Sequence, residues 1–308
     1  MRQLLARLLS TFATMAIGSP AWSASAVAAQ QVIPQGADLS KIDVQGHRGA
    51  RAVMPENTIP AFLYALELGV DTLELDTGVT SDGTVVVYHD QKINPAICQY
   101  KDGSKIKRSR WLHELTLEQV KDFDCGAMAN QRFPNQTLLP GTEIPTLDEV
   151  LTAVAASGLP KSKKVLFNIE TKSTEANPQA QPAPAEFVHA VLEVIAKHSL
   201  EDRVTLQSFD HRTLVEAHQQ APEIQRSALF RRIPKNWVTA TQDAKAQIVS
   251  PFYKHIGKTD VDAIHDAGMR VVPWTANLES EWRMLINMGV DGIITDDPAP
   301  LLQLLGRK

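Results

Sequence analysis

Four polar clusters fall within residues 44–90: His47-Arg48, Glu56-Asn57, Glu74-Leu75-Asp76 and His89-Asp90, each where a short apolar run begins or ends. Across Thr72-Leu73-Glu74-Leu75-Asp76 polar and apolar residues alternate with the two-residue period of a strand. Both carboxylates therefore leave one face roughly 7 Å apart. Two acids aimed at one point repel unless a cation sits between them, and oxygen donors of this kind suit a hard divalent ion such as Mg²⁺ or Ca²⁺. Two histidines with an arginine beside one of them suit proton transfer around an anionic substrate. Together these residue types point to phosphate ester chemistry.

The order and spacing of these clusters resemble the signature of the glycerophosphodiester phosphodiesterase family: His-Arg, Glu-Asn, Glu-x-Asp, then His-Asp. Four matches in order are far more specific than one. The resemblance continues through Asn168-Ile169-Glu170-Thr171-Lys172, Gln207-Ser208-Phe209, Trp274-Thr275 and Asp291-Gly292-Ile293-Ile294-Thr295-Asp296, so it spans nearly all of the chain after the first forty residues.

The elements that must position these groups alternate. Candidate strands lie at 44–46, 72–78, 85–88, 165–170, 203–207, 226–230, 247–250, 270–274 and 292–294. Candidate helices lie at 58–68, 146–157, 184–198, 211–219, 259–267, 279–288 and from Pro300 on. Asn57 reads as the cap of the first helix and Gly69 as its stop. Residues 91–143 break the rhythm. They are polar, hold both cysteines and carry one short helix at 117–123, and so read as an insertion after the third strand that overhangs the site. Repeated strand–helix alternation over this length predicts an α/β TIM barrel, regular or distorted, with that insertion. Nine candidate strands compete for eight places, and 226–230 or 292–294 is the expected surplus. A doubly wound sheet ranks second, because no GxGxxG or P-loop follows the first strand. In a barrel, functional groups gather at the carboxyl ends of strands, and His47, His89, Glu170, Lys172, Gln207 and Trp274 all fall at such ends.

With 44% apolar and 21% charged residues, the 308-residue chain is of ordinary globular composition. Residues 1–29 differ. Arg2 and Arg7 lead an apolar stretch from Leu8 to Ile17, and Ala26, Ala28 and Ala29 offer cleavage sites of the small-residue type. This is the pattern of a secretory signal peptide, too short for a membrane anchor. The expectation is a domain over 41–308 that is exported, to the periplasm first of all, and makes no stable membrane insertion. In an oxidising compartment the two cysteines, Cys98 and Cys125, are expected to pair, although each also suits burial as a free thiol. Loss of the leader removes two of the 31 basic residues set against 35 acidic ones and moves the formal charge from −4 to −6. That acidity excludes nucleic acid as a natural partner. The basic runs at Lys101 to Arg110 and Arg231-Arg232 read as solvated surface.

By resemblance, Glu74, Asp76 and Glu170 are the metal ligands, with Mg²⁺ or Ca²⁺ as cofactor, and His47 and His89 are the general base and acid. The chemistry needs both, since a leaving alkoxide must gain a proton and an attacking hydroxyl must lose one. Arg48 and Lys172 would offset charge on the phosphoryl oxygens, Gln207 would hold glycerol hydroxyls at the rim, and Trp274 would wall the pocket. The bland alternatives are a Glu170–Lys172 pair, an Arg48–Glu56 pair and a core tryptophan. The remaining histidines have no partner motif. The expected substrate is a small, soluble glycerophosphodiester cleaved to glycerol 3-phosphate and an alcohol, with tolerance toward choline, ethanolamine, glycerol or inositol. The rivals are a phospholipase of the same superfamily acting on intact lipid, a glycosidase using Glu74 and Asp76, and a degenerate binding protein. The glycosidase needs neither a metal nor a histidine pair.

Overall fold

The computed structural model describes residue 33 and residues 38–307. The leader expected over residues 1–29 lies outside them. Eight parallel strands form the centre: β1 (Asp43–Gly46), β2 (Thr72–Val79), β6 (Leu166–Thr171), β7 (Val204–Ser208), β8 (Gln225–Phe230), β9 (Ile248–Pro251), β10 (Arg270–Val271) and β11 (Gly292–Thr295). They follow the order β10-β9-β8-β7-β6-β2-β1-β11. Hydrogen bonds from Asp291 N to Val271 O (2.9 Å) and from Ile294 N to Pro273 O (3.1 Å) cross between the two ends and bring the sheet round into a nearly closed barrel. A helix follows every barrel strand, from Ile59–Leu68 after β1 to Pro298–Leu304 after β11.

The strand that does not belong to the ring is β3 (Val85–Val87), which runs antiparallel to β2 with Thr77 opposite Val87. Both expected surplus strands, 226–230 and 292–294, are barrel staves. The reason is visible in β3's burial. Val85 and Val87 pack into the main core while Val86 and Tyr88 pack into a second one, so a hairpin strand is apolar on both faces like a barrel strand. A tight turn with Gly83 at φ +82° joins β2 to β3, as a left-handed position there favours glycine.

The second core belongs to the insertion. Ile93, Cys98, Ile106, Leu112, Leu115, Val120, Phe123 and Ile144 are buried together against Val86 and Tyr88. A two-residue ladder, β4 (Gln99–Tyr100) with β5 (Phe123–Asp124), pairs Gln99 with Asp124. That register sets Cys98 opposite Cys125, and their sulfurs are bonded at 2.05 Å. The short helix expected at 117–123 spans only Leu117–Val120, closed at its start by the reciprocal Thr116–Gln119 capping bonds. The insertion is fastened to the barrel mouth at its far end: Gln136 donates to the carbonyls of Arg51 and Met54, each at 2.7 Å. Among the described residues no helix is long and apolar enough to cross a membrane.

Candidate active site

The alternation in β2 works as its sequence implies. Leu73 and Leu75 enter the core outside the barrel, while Glu74 and Asp76 turn inward. Register places Asp76 beside Glu170 on β6, and Glu170 beside Gln207 on β7. One oxygen from each of Glu74, Asp76 and Glu170 lies within 4.8 Å of the others, all three side chains buried.

Such a cluster must be held by positive charge. Arg48 reaches Asp76 through Nε at 2.9 Å and Glu56 through Nη1 at 2.5 Å. The Lys172 ammonium lies 2.7 Å from Glu170 and 3.6 Å from Asp76. The two pairings weighed as bland alternatives for Arg48 and Glu170 are thus present, but inside the carboxylate cluster rather than instead of it. Burial and the neighbouring Asp76 and Glu170 carboxylates push Glu74 well above its ordinary range. Asp76 goes the other way: burial opposes its ionisation, but Arg48, His89 and Lys172 outweigh it and hold the carboxyl well below the usual value.

The backbone before the first helix is shaped to reach this cluster. Arg48 has φ +52° and Asn57 φ +57°, a left-handed conformation that costs a non-glycine residue of order 1–3 kcal/mol and is typical of functional loops. The Arg48 N–H donates to Glu74 Oε2 at 2.9 Å. A Cβ on Gly46 would sit 2.2 Å from the Gly49 carbonyl oxygen, so the turn closes only on glycine. Asn57 is not the helix cap. Thr58 caps the helix, and Asn57 donates to Asp76 Oδ2 at 2.8 Å while Asp76 N donates back to Asn57 Oδ1.

His47 follows β1, with Nε2 3.9 Å from Glu74 and Nδ1 2.5 Å from Asp296. Burial, with Arg51 and Arg48 near it, lowers its pKa to about 4 in spite of Asp296, so the imidazole is neutral at neutral pH. His89 follows the hairpin strand, which delivers it through the bond from Tyr88 N to Asp76 O at 2.9 Å. Its Nδ1 lies 2.6 Å from Asp90, which Asn94 holds in turn.

A cavity of about 350 Å³ opens over these groups. Every barrel strand lines it: His47 after β1, Glu74 on β2, Glu170 on β6, Gln207 on β7, Arg231 after β8, Phe252 after β9, Trp274 after β10 and Asp296 after β11. His89 comes from the hairpin and Arg132 from the insertion, so the insertion does border the mouth. Trp274 forms wall rather than buried core, with Phe209 edge-on at 5.3 Å. Gln207 lies at the floor of the cavity rather than its rim: it is 1% exposed, and its amide donates to Glu74 Oε1 at 2.7 Å.

The sequence assigns no role to Arg51, Asn277 or Arg132 and quotes Asp296 only within the resemblance, while Arg231, expected as solvated surface, is exposed but lines the cavity. Asp296 gathers His47, the Arg51 guanidinium at 2.7 Å and the Asn277 amide at 2.8 Å. The available signal was its position one residue beyond β11, at the same rim as the groups already identified. None of the other described histidines lines the cavity. His198 and His265, for example, bond Asp148 and Asp291 elsewhere.

The model of the glycerophosphoryl diester phosphodiesterase family matches residues 47–300. A glycerophosphodiester phosphodiesterase of Caldanaerobacter subterraneus is 32% identical, over 85% of this chain and 97% of its own. One of Bacillus subtilis is 30% identical over 82% of each. A crystal structure from Silicibacter pomeroyi superposes with a TM-score of 0.80 at 33% identity, covering 86% of this chain and 93% of the other. An Oleispira antarctica phosphodiesterase in complex with the product sn-glycerol-3-phosphate gives 0.71 at 25% identity, covering 86% and 97%.

Proposed function

The chain belongs to the glycerophosphoryl diester phosphodiesterase family, and on that premise we propose that its cavity hydrolyses small glycerophosphodiesters to glycerol 3-phosphate and an alcohol, with His47 as general base and His89 as general acid. Its activity is that of a glycerophosphodiester phosphodiesterase. The observation that carries the finer reading is the buried Glu74–Asp76–Glu170 cluster flanked by two histidines, each oriented by its own aspartate.

The three carboxylates fit a divalent cation. They offer only hard oxygen donors, and Asp76 Oδ1 is buried with no hydrogen-bond donor. Mg²⁺ and Ca²⁺ both suit this donor set. When bound, the cation supplies Lewis acidity toward the phosphoryl oxygens. The rest falls to the chain. Arg48 and Lys172 complement the anionic phosphate. His47, neutral and held by Asp296, accepts the proton of the attacking hydroxyl, whether from water or from the glycerol itself. As the new oxygen–phosphorus bond forms and the phosphorus–alcohol bond breaks, His89 gives its proton to the leaving oxygen. In the glycerol route a second attack by water opens the cyclic phosphate. Gln207 fixes the Glu74 carboxylate throughout.

We also read the protein as exported. The Arg-led apolar leader supports this, and so does the Cys98–Cys125 bond, since such bonds persist in oxidising compartments.

The test supplies purified protein and metal with glycerophosphoglycerol, glycerophosphoethanolamine or intact phosphatidylcholine vesicles, and couples product to glycerol 3-phosphate dehydrogenase. Turnover of the soluble diesters with none on vesicles is expected. Diacylglycerol or phosphatidic acid from vesicles would move the protein to the phospholipase class.

A further inference from the structure

The cavity is lined by five fixed cations, Arg48, Arg51, Arg132, Lys172 and Arg231. Three are already engaged by acids: Arg48 by Asp76 and Glu56, Arg51 by Asp296, and Lys172 by Glu170. Arg132 and Arg231 are not. Among the described residues neither guanidinium has a carboxylate at ion-pair distance, and both are exposed at the mouth. They stand on different sides of it. Arg231 follows β8, while Arg132 lies in the insertion near Arg51 of the β1 loop, and β8 is four places from β1 in the strand order.

The aromatic wall tells the same story. Phe209 meets Trp274 edge-on, and a ring wall of this kind ordinarily recommends itself to a quaternary ammonium. Here the protein supplies its own cations to it, with the Arg231 guanidinium 4.9 Å from the Phe209 centroid and the Lys172 ammonium at 5.9 Å. A choline or ethanolamine head group would meet like charge there from Arg231, a guanidinium with no counter-ion, and would face a second such guanidinium, Arg132, across the mouth.

We infer that this cavity selects leaving groups that carry a second phosphate over cationic ammonium head groups, with Arg231 at the aromatic wall and Arg132 across the mouth as the residues that set the preference. This rests on the phosphodiesterase reading above and narrows its substrate class from any soluble glycerophosphodiester to those whose alcohol is itself anionic. Guanidinium is the suited partner, since its planar fork matches phosphate oxygens.

The experiment measures kcat/KM on glycerophosphoglycerol, on the same compound with a phosphate monoester at its terminal hydroxyl, and on glycerophosphocholine. Loss of the diester signal is followed by ³¹P NMR. The phosphorylated diester is expected to exceed the neutral one by on the order of tenfold or more, and choline to rank last, the size that one or two partly solvated charge-assisted contacts supply. The ratio of phosphorylated to neutral substrate is expected to fall about tenfold in R231Q/R132Q, to persist in R231K/R132K, and to shrink with added salt. Equal rates on the three substrates, or a double variant that leaves the ratio intact, would overturn the inference while the phosphodiesterase reading stands. No turnover of any diester would overturn that reading and this one with it.

Discussion

Nδ1 of His47, at the end of the first barrel strand, lies 2.5 Å from Oδ1 of Asp296, at the end of the last. The two residues are 249 positions apart in the chain and meet because β1 and β11 are paired neighbours, Gly46 beside Thr295. Burial works against an ionised Asp296, but His47 and Arg51 outweigh it and keep the carboxyl low. The pair therefore fixes one face of the imidazole and leaves Nε2 toward the carboxylate cluster.

Replacing Asp296 with Asn tests that role. The substitution keeps size and hydrogen bonding but removes the charge that selects the His47 tautomer. We expect kcat to fall roughly 10²-fold or more with KM little changed, as for an orienting carboxylate behind a catalytic histidine, and the acid limb of the pH–rate profile to move. An unchanged profile with an unchanged kcat would make Asp296 a structural residue only.

The elevated Glu74 carboxyl yields a stability prediction. Its folded pKa lies above the ordinary 4.5 because of burial first, then Asp76 and Glu170. Above pH 4.5 the native state therefore binds more of this proton than the unfolded chain, so its contribution is full below 4.5 and is lost as pH rises through the folded value. His47, lowered to about 4 from 6.5, acts in the opposite sense between those two values. Comparing melting temperatures with and without Mg²⁺ or Ca²⁺ at each pH removes contributions common to both. The gain from cation should grow as pH rises through the Glu74 titration, because the cation replaces the proton, and Glu74→Gln should flatten that growth. A gain independent of pH in the native protein would show that Glu74 does not change protonation on binding.

How far the fold could be read from the chain depended on what each residue faces. The barrel strands and the helix stop at Gly69 were legible because burial imposes apolar runs and the αL end of a helix favours glycine. Val85–Val87 misled because its two faces enter two different cores, and nothing in an apolar run states which partner covers it. The carboxylates of β2 were legible from alternation alone. Gln207 was legible at its strand end, but its bond to Glu74 was not, since an amide at a strand end serves a ligand and a neighbouring carboxylate equally well. Asn57 and Thr58 are both good caps by type, and the deciding fact, the bond from Asn57 to Asp76, joins loop to strand across 19 residues. Asp296 stood in the resemblance without a role because its partner, His47, is at the opposite end of the chain.

The Cys98–Cys125 bond gives the insertion a measurable dependence on oxidation. It closes a loop with a sequence separation of 27, for which the chain-entropy account predicts about 3–4 kcal/mol of stabilisation. Denaturation of the native protein against C98S/C125S should show a lower midpoint for the variant. Since the insertion borders the cavity through Arg132, turnover should fall in the variant before the barrel unfolds. Identical midpoints, or two alkylatable thiols in the native protein, would contradict this.

On the proposed reading, the buried Glu74–Asp76–Glu170 cluster is the metal-dependent centre of a phosphodiesterase. Its most direct test is release of glycerol 3-phosphate from glycerophosphoglycerol in excess chelator, then after Mg²⁺ or Ca²⁺ is restored, for the native protein and for Glu170→Gln and His47→Ala. The native protein is expected to show no turnover in chelator and full recovery with cation. Glu170→Gln is expected not to recover, and His47→Ala to recover to a rate lower by roughly 10²–10⁴-fold. Full turnover by the native protein in excess chelator would contradict the metal-dependent reading.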